Sequence, residues 1–249
     1  MNDHIELIDG HAHLNELVDV PGDFARARDA GVTKVVGVGM DLASNRRILE
    51  LAEEYPGFVV PAIGFHPWEI QRDTIDDTLL FLEDNIHRCI ALGEVGLDYK
   101  ARVKKDLQRE VFREIISLAA RYDKILILHC RYSHQRVFSM ITHGGVRRAV
   151  FHWYTGTLEL LDEIVDAGYH ISATPALQYS PPHQAAVAAA PLERILLETD
   201  CPVEYQGKES RPVDVIITAG ETARIRGLSL SEVAGATTEN TKRLYSLES

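Results

Sequence analysis

Histidines and carboxylates stand at the ends of several short apolar segments of this sequence. The first of these is Asp9-Gly10-His11-Ala12-His13, in which one residue separates the two histidines. Because alternate residues of a β-strand share a face, both imidazoles are expected to point the same way, and a metal ion can bridge that spacing. A pair of this kind is also compatible with two solvated or hydrogen-bonded histidines.

Four further segments finish in the same ligand types, at Glu94, His129, His152 and Asp200. Imidazole and carboxylate groups are the ligand set of borderline metals such as zinc, manganese, cobalt and nickel. Histidines with a purely structural role would not be expected to recur, together with carboxylates, at the ends of five segments. The sequence therefore predicts a metal centre built from the ends of these segments.

The segments that must position these groups recur along the whole chain. Short runs rich in Val, Ile and Leu alternate with longer segments of helical period, which is typical of repeated β-α units. Eight such runs begin at Ile5, Lys34, Phe58, Cys89, Lys124, Ala149, Tyr169 and Arg194. With 249 residues, each run has about 31 residues to itself, close to the roughly 30 of one strand and its return helix. The pattern predicts an α/β fold with one domain, residues 1–249, folded as a (β/α)8 TIM barrel.

In such a barrel the C-terminal ends of the strands meet at one face, where barrel enzymes hold their active sites. The predicted metal site therefore lies at the C-terminal face of the strands. The formal net charge of −11 disfavours a protein that clings to long duplex DNA. The sequence shows neither a secretory signal nor a long apolar stretch, so we expect a cytoplasmic protein without membrane contact.

Six motifs together resemble the TatD family of amidohydrolase-like metal-dependent hydrolases, over nearly the whole chain. They are DGHAHL from Asp9, GFHP from Gly64, GEVGLDY from Gly93, LHCR from Leu128, FHWYTG from Phe151 and LLETDCP from Leu196. The terminal NTKRLY from Asn240 is similar to the closing segment of the family. The resemblance implies metal-dependent hydrolysis of DNA, often as an exonuclease. Some members of the family remove D-amino acids from tRNA.

The resemblance also implies a ligand set for two metal ions. His11 and His13 would hold one ion together with Asp200. His129 and His152 would hold the other, and Glu94 would bridge the two. A carboxylate can span two ions roughly 3.5 to 4 Å apart. The implied cofactors are two divalent ions, of zinc, manganese, cobalt, nickel or magnesium.

Three motifs that face the substrate in the family differ in this chain. Where the family usually continues the sixth-strand histidine as Cys-Phe-Ser-Gly, this chain has WYTG from Trp153. Arg131 is followed by Tyr132-Ser133 instead of an acidic residue and Ala, and ESRP from Glu209 replaces an Arg-Asn-x-Pro motif. The ligand set is complete while these loops differ, so the resemblance bears more on the reaction than on the substrate.

We therefore expect a divalent-metal-dependent phosphodiesterase or deoxyribonuclease that cleaves with a metal-activated water. Nucleic acid ends or small phosphodiesters are the expected substrates, and no obligate protein partner is predicted. Asp200 and Glu94 are the candidate catalytic residues, with Asp200 as the general base. The alternatives are an amide or ester hydrolase, including the D-aminoacyl-tRNA deacylase type, and a non-enzymatic metal-binding relative.

Four more residues are candidates around the metals. Asp9 and Glu198 precede His11 and Asp200 by two residues, so they could accept the free N–H of a ligating histidine or make hydrogen bonds inside the barrel. His66 ends the third predicted strand and is expected to contact the substrate. Arg131 could offer a planar fork to a phosphate, or form a salt bridge with an acidic loop residue.

Overall fold

The computed structural model describes residues 5–247. Eight strands form one parallel sheet in which each strand pairs with the next along the chain. They are β1 (Leu7–Ala12), β2 (Val32–Val38), β3 (Val59–Ile63), β4 (Ala91–Asp98), β5 (Ile125–Arg131), β6 (Ala149–Phe151), β7 (His170–Ala173) and β8 (Ile195–Leu197). A parallel bridge between Ala12 and Cys201 brings the last strand back to the first. The sheet is thus a nearly closed barrel, which confirms the predicted (β/α)8 fold.

One α-helix follows each of the first seven strands, and two follow the eighth. They are α1 (Val20–Asp29), α2 (Leu42–Glu54), α3 (Ile75–Asp84), α4 (Lys105–Tyr122), α5 (His134–His143), α6 (Leu158–Asp166), α7 (Pro181–Ala189), α8 (Val215–Arg226) and α9 (Leu230–Tyr245). A short hairpin of β9 (Glu204–Tyr205) and β10 (Lys208–Glu209) lies between β8 and α8. Among the described residues, none of the helices combines the length and the hydropathy needed to cross a membrane.

The core lies between the barrel and the ring of helices. All six residues of β1 are buried, as expected where both faces of a parallel sheet are covered. The helix α4 turns Val111, Ile115, Leu118 and Ala119 inwards, which is the apolar stripe that its sequence period indicates. Each large aliphatic side chain buried in this way stabilises the fold by about 1.5–3 kcal/mol.

Two strands end before the ligand residues that their sequences carry. The apolar run from Ala149 continues to Trp153, yet β6 ends at Phe151, and β8 ends at Leu197 although its run continues to Asp200. Beyond these points the regular ladder gives way to single backbone hydrogen bonds, such as those from the amide of His152 to the carbonyl of Leu128 and from the amide of Asp200 to the carbonyl of His11. Asp200 has a left-handed φ of 53°, a conformation that aspartate tolerates better than most residues. The polar residues thereby turn into the mouth of the barrel.

Candidate metal centre

The C-terminal mouth of the barrel brings together all six residues that the sequence predicts as metal ligands. His11 and Glu94 lie within β1 and β4, and His129 lies within β5. The other three follow the ends of strands: His13 after β1, His152 after β6 and Asp200 after β8. Five of the six are at least nine-tenths buried, and His129 is only slightly more exposed.

Backbone hydrogen bonds fix the first group of these residues relative to one another. The amide of Asp200 donates to the carbonyl of His11 at 2.9 Å, and the amide of His13 donates to the carbonyl of Cys201 at 2.8 Å. These two bonds continue the pairing of β1 with the segment after β8. His11, His13 and Asp200 are therefore held in place by the closure of the barrel itself.

One atom from each residue of this first group, together with one oxygen of Glu94, surrounds a common point. The Nε2 atoms of His11 and His13 are 3.3 Å apart, and each is 3.3 Å from Oδ1 of Asp200. Oε2 of Glu94 lies 3.4 Å from both nitrogens. A tetrahedral ion with bonds of about 2.0–2.1 Å places its ligands roughly 3.3 Å apart. Within residues 5–247, Oδ1 of Asp200 is buried and no donor makes a hydrogen bond of good geometry with it, so the donor set fits a metal ion.

The other oxygen of Glu94 faces a second group of nitrogens. Oε1 lies 2.6 Å from Nδ1 of His129, 3.1 Å from Nε2 of His152 and 3.4 Å from Nε2 of His66. The two oxygens of the Glu94 carboxylate thus face two separate clusters of imidazole nitrogens. This is the arrangement that a bridging ligand between two metal ions requires.

Two glycines make room for this arrangement. A Cβ on Gly64 would lie 2.4 Å from the carbonyl carbon of Gly93 and 2.5 Å from the amide nitrogen of Glu94. A Cβ on Gly96, which has a φ of 144°, would lie 2.2 Å from the carbonyl oxygen of His129. No side chain fits at either position, so both glycines let the backbones behind the ligands approach closely.

The electrostatics of the metal-free site follow from the mixture of carboxylates and imidazoles. Burial by itself raises the pKa of Glu94, but the charges of His152 and His66 and hydrogen bonds from His11 and His129 outweigh it and hold that pKa well below its ordinary value. Burial lowers the pKa of His13, whereas hydrogen bonds to Asp200 and Glu94 raise it more, to about 10. The site concentrates negative charge that histidine protons balance, and divalent ions can replace those protons.

The carboxylate of Glu198 contacts the candidate ligand His152 from inside the barrel. Its Oε1 lies 3.1 Å from Nδ1 of His152 and accepts a hydrogen bond of 3.1 Å from the amide of Trp153. This is the contact with a histidine ring that the sequence predicts for Glu198. It leaves Nε2 of His152 directed at Glu94.

For Asp9 the structure agrees with the second of the two roles that the sequence leaves open, hydrogen bonding inside the barrel. Its carboxylate accepts hydrogen bonds from the amide and the hydroxyl of Thr199, at 2.9 and 2.6 Å, and lies 3.4 Å from the backbone amide of His11. It reaches no histidine ring among the described residues. Asp9 bends towards the segment after β8, and Nδ1 of His11 is buried without a partner in the described part of the chain. Asp9 therefore joins β1 to that segment instead of orienting an imidazole.

His66 and Arg131 both line the cavity above these ligands. His66 is buried, and its Nδ1 accepts a hydrogen bond of 3.2 Å from the amide of Trp68, which leaves Nε2 to face Glu94. Burial lowers the pKa of His66 to about 4. Arg131 is exposed at the rim, and the ion pairs of residues 5–247 do not include it. The alternative salt bridge between Arg131 and a loop acid is therefore not formed within these residues.

Asp98 belongs to the site although the sequence prediction does not include it. Its Oδ2 lies 3.4 Å from Nε2 of His129 and accepts a hydrogen bond of 2.6 Å from Nε1 of Trp68. A sequence signal for it exists, because Asp98 lies four residues after Glu94 on the same strand and alternate residues share a face. Asp98 orients the ring that presents Nδ1 to Glu94.

The cavity at the barrel mouth has a volume of about 530 Å³. Besides the candidate ligands, its walls include residues from several loops: Glu16, Met40, Trp68, Cys130, Trp153, Thr155, Tyr179, Ser180 and Val203. Trp153 and Thr155 come from the motif that differs from the TatD pattern. Arg211, from the altered segment after β8, turns away to Glu209 and Asp23. Of the three motifs that differ in sequence, the one from Trp153 thus shapes the wall of the cavity, while the cluster of candidate ligands beneath it is complete.

Comparison with known proteins agrees with this geometry. The family described as TatD related DNase matches residues 8–246. The metal-dependent hydrolase YabD of Bacillus subtilis is 32% identical, over 96% of this chain and 98% of its own length. The human deoxyribonuclease TATDN3 is 32% identical, over 97% of this chain and 95% of its own. The crystal structure of YjjV, a TatD homologue of Escherichia coli, superposes with a TM-score of 0.88 at 28% identity, covering 98% of this chain and 99% of that one. The chain therefore belongs to the TatD related DNase family of metal-dependent hydrolases.

Proposed function

We propose that this protein hydrolyses phosphodiester bonds with two divalent metal ions, acting on nucleic acid ends or small phosphodiesters. The observation on which the proposal rests is Glu94, whose two oxygens face two separate clusters of imidazole nitrogens. His11, His13 and Asp200 would hold one ion with Glu94. His129 and His152 would hold the other, and the donor set suits zinc, manganese, cobalt or nickel better than magnesium.

Two such ions, when bound, would supply a nucleophilic water near neutral pH and would stabilise the charge that develops on the phosphate. The protein's own groups then have distinct tasks. Asp200 lines the cavity. Burial by itself raises the pKa of Asp200, but hydrogen bonding to His13 and the charges of nearby histidines hold that pKa below its ordinary value. The carboxylate is therefore anionic and could accept a proton from the attacking water. His66 and Arg131 border the same cavity and would contact the phosphate from either side.

Glu198 and Asp98 would orient His152 and His129 for this work. Oε1 of Glu198 lies beside Nδ1 of His152, and Oδ2 of Asp98 lies beside Nε2 of His129. In both rings this is the nitrogen that points away from Glu94. Such partners fix which nitrogen of an imidazole carries the proton and which is free to bind a metal. The two carboxylates would thereby favour, in each ring, the tautomer whose free nitrogen faces Glu94.

The size of the cavity and the charge of the protein favour single-stranded ends over duplex. A cavity of about 530 Å³ has the size that encloses one small ligand, so a single nucleotide with its phosphate fits better than a base-paired helix. The net charge of −11 disfavours the many phosphate contacts of duplex binding. Location in the cytoplasm stays a prediction.

Metal reconstitution tests the proposal. Protein stripped with a chelator and reloaded separately with each candidate metal is assayed on bis(p-nitrophenyl) phosphate, on single-stranded DNA and on an aminoacyl ester. We expect hydrolysis of the two phosphodiesters that disappears again with excess chelator. Hydrolysis of the aminoacyl ester alone, or full activity of the stripped protein, would contradict the proposal.

A further inference from the structure

A second cleft opens beside the cavity at the barrel mouth. It has a volume of about 340 Å³ and is lined by Trp68, Asp98, Lys100, Ala101, Arg102 and Arg131. Two of these residues, Trp68 and Arg131, line the first cavity as well. The cleft therefore adjoins the space above the candidate metal ligands, and these two side chains border both spaces.

Three cationic side chains converge on this cleft. Lys100, Arg102 and Arg131 are all exposed, and none of them takes part in an ion pair within residues 5–247. Cations elsewhere on the surface do form such pairs, for example Arg47 with Glu54 and Arg88 with Glu53. In a protein with a net charge of −11, three uncompensated cations around one cleft form a local positive field.

The one carboxylate in the cleft is already engaged. Asp98 is fully buried and accepts hydrogen bonds from Trp68 Nε1 at 2.6 Å and from the amides of Lys100 and Ala101 at 2.7 and 3.1 Å. It also faces His129. Its charge is therefore directed at groups beneath the cleft, and the exposed walls remain positive.

The loop that carries two of the cations is held in place. The side chain of Gln108 accepts from the amide of Asp98 at 2.8 Å and donates to the carbonyls of Asp98 and Val103, both at 2.8 Å. Asp98 in turn binds the amides that follow it. The segment with Lys100 and Arg102 is thus anchored at both ends, so the cations are presented by a defined loop.

Trp68 stands between the two spaces with half of its surface exposed. The hydrogen bond from its ring nitrogen to Asp98 fixes the plane of the indole. An exposed, oriented indole is a platform on which a nucleobase can stack. The order along the wall is then metal ligands, indole and cations, which matches the order of a cleaved phosphate, a nucleoside and a neighbouring phosphate.

We propose that this cleft binds the phosphodiester next to the one that is cleaved, and we call it the seat. Lys100, Arg102 and Arg131 would contact its phosphate, and Trp68 would stack on the base between the two phosphates. The proposal rests on the proposed phosphodiesterase function and predicts that chains of at least two linkages bind more tightly than small phosphodiesters, which are hydrolysed without using the seat. A substrate with a single phosphate does not reach the seat. A neutral amide or an aminoacyl ester offers no anion for these cations to bind.

Binding measurements test the seat without requiring turnover. The probe is a fluorescent oligothymidylate without terminal phosphates, titrated by anisotropy against metal-free full-length protein at several salt concentrations. The variant is Lys100→Ala combined with Arg102→Ala. Its matched control is Arg113→Ala combined with Arg243→Ala, which removes two exposed cations from the outer faces of α4 and α9 and changes the net charge equally.

We expect the first double variant to weaken binding roughly tenfold and the control less than twofold. The slope of log K against log salt should become shallower, in the first variant only, by about 0.7 for each phosphate that its side chains no longer neutralise. A probe with neutral methylphosphonate linkages should bind the native protein more weakly, with no additional weakening in the first double variant. Equal weakening in both double variants, or no measurable binding by the native protein, would overturn the seat.

The same experiment separates this proposal from the proposed function. Binding that depends on Lys100 and Arg102, in a protein that hydrolyses no phosphodiester with any metal, would leave the seat standing and overturn the function. Cleavage of single-stranded DNA with equal KM values in both double variants would leave the function standing and overturn the seat. Arg131 is left unchanged in both variants because it also borders the first cavity.

Discussion

Oε1 of Glu198 lies 3.1 Å from Nδ1 of His152. The carboxylate approaches the imidazole from inside the barrel and leaves the opposite ring nitrogen facing Glu94, 3.1 Å away. Glu198 is buried, so its position is set by the packing of β8 and α8, where Thr218 also donates to the Glu198 carbonyl at 3.0 Å. The fold thereby controls which nitrogen of His152 is available to a metal.

Removing the Glu198 carboxylate should weaken metal binding while the six candidate ligands remain. We expect Glu198→Ala to lower the affinity for divalent metal about 10- to 100-fold, because His152 is then without the partner that orients it. Glu198→Gln is the matched control, since its amide oxygen can still accept a hydrogen bond from Nδ1. Competition with a metal-sensitive dye measures both. Native affinity in Glu198→Ala would show that His152 needs no such partner.

Glu94 should determine how many ions the protein retains. Glu94→Ala removes the side chain whose two oxygens face the two clusters, and two neighbouring cations would then repel each other without this shared anion. We expect metal-replete native protein to contain two ions per chain, and the variant to contain fewer after the same reconstitution and desalting. Elemental analysis measures the ratio. Two tightly bound ions in Glu94→Ala would show that the bridging assignment is wrong.

Asp200 should separate holding a metal from using it. Asp200→Asn keeps the shape of the side chain and one oxygen ligand but removes its basicity. We therefore expect kcat on bis(p-nitrophenyl) phosphate to fall by roughly 10² to 10⁴, the range of general base catalysis, while the metal content largely survives. Stoichiometry and kcat are measured on the same preparation. Turnover near the native rate would exclude Asp200 as the base.

Gly64 should be intolerant of any side chain. The Cβ of Gly64→Ala would meet the backbones of Gly93 and Glu94 at 2.4 to 2.6 Å, and backbone atoms cannot yield cheaply. We expect the free energy of unfolding to fall by about 1–3 kcal/mol, as for other overpacked sites, together with weaker metal binding. Gly220→Ala in α8 is the control, because nothing lies within 4 Å of its added Cβ, and it should stabilise the helix by about 0.5–1 kcal/mol.

Denaturant unfolding of the two metal-free variants measures both effects side by side. Equal stability of Gly64→Ala and native protein would mean that β3 and β4 can move apart without cost, and that the close approach of their backbones is not required.

The substrate preference should follow the shape of the cavity. We expect metal-loaded protein to degrade single-stranded DNA faster than blunt duplex of the same sequence, and duplex with frayed ends at an intermediate rate, because base pairs must open before an end enters the barrel mouth. Gel analysis of end-labelled substrates provides the rates. Equal rates on closed circular duplex, which has no end, would contradict entry from an end.

The barrel and the convergence of its candidate ligands could be predicted from local sequence. Short Val-, Ile- and Leu-rich runs of regular spacing require both faces to be covered, and the alternation of side chains along a strand places His11 and His13 together. The C-terminal ends of parallel strands meet in space whatever the loops do. For that reason ligands as distant in sequence as His11 and Asp200 could be assigned to one site without coordinates.

Contacts between side chains of different strands were decided only by the tertiary structure. The spacing leaves open whether Asp9 orients a histidine or makes hydrogen bonds inside the barrel, and in the structure its carboxylate binds Thr199. Asp98, on the same face of β4 as Glu94, faces His129. Period and spacing say which face of a strand a residue occupies, but not how far its side chain reaches across the barrel. That reach depends on the stagger of neighbouring strands and on the conformation of the loops between them. The cleft beside Trp68 likewise exists only because packing brings together three separate segments, one of which carries Lys100 and Arg102.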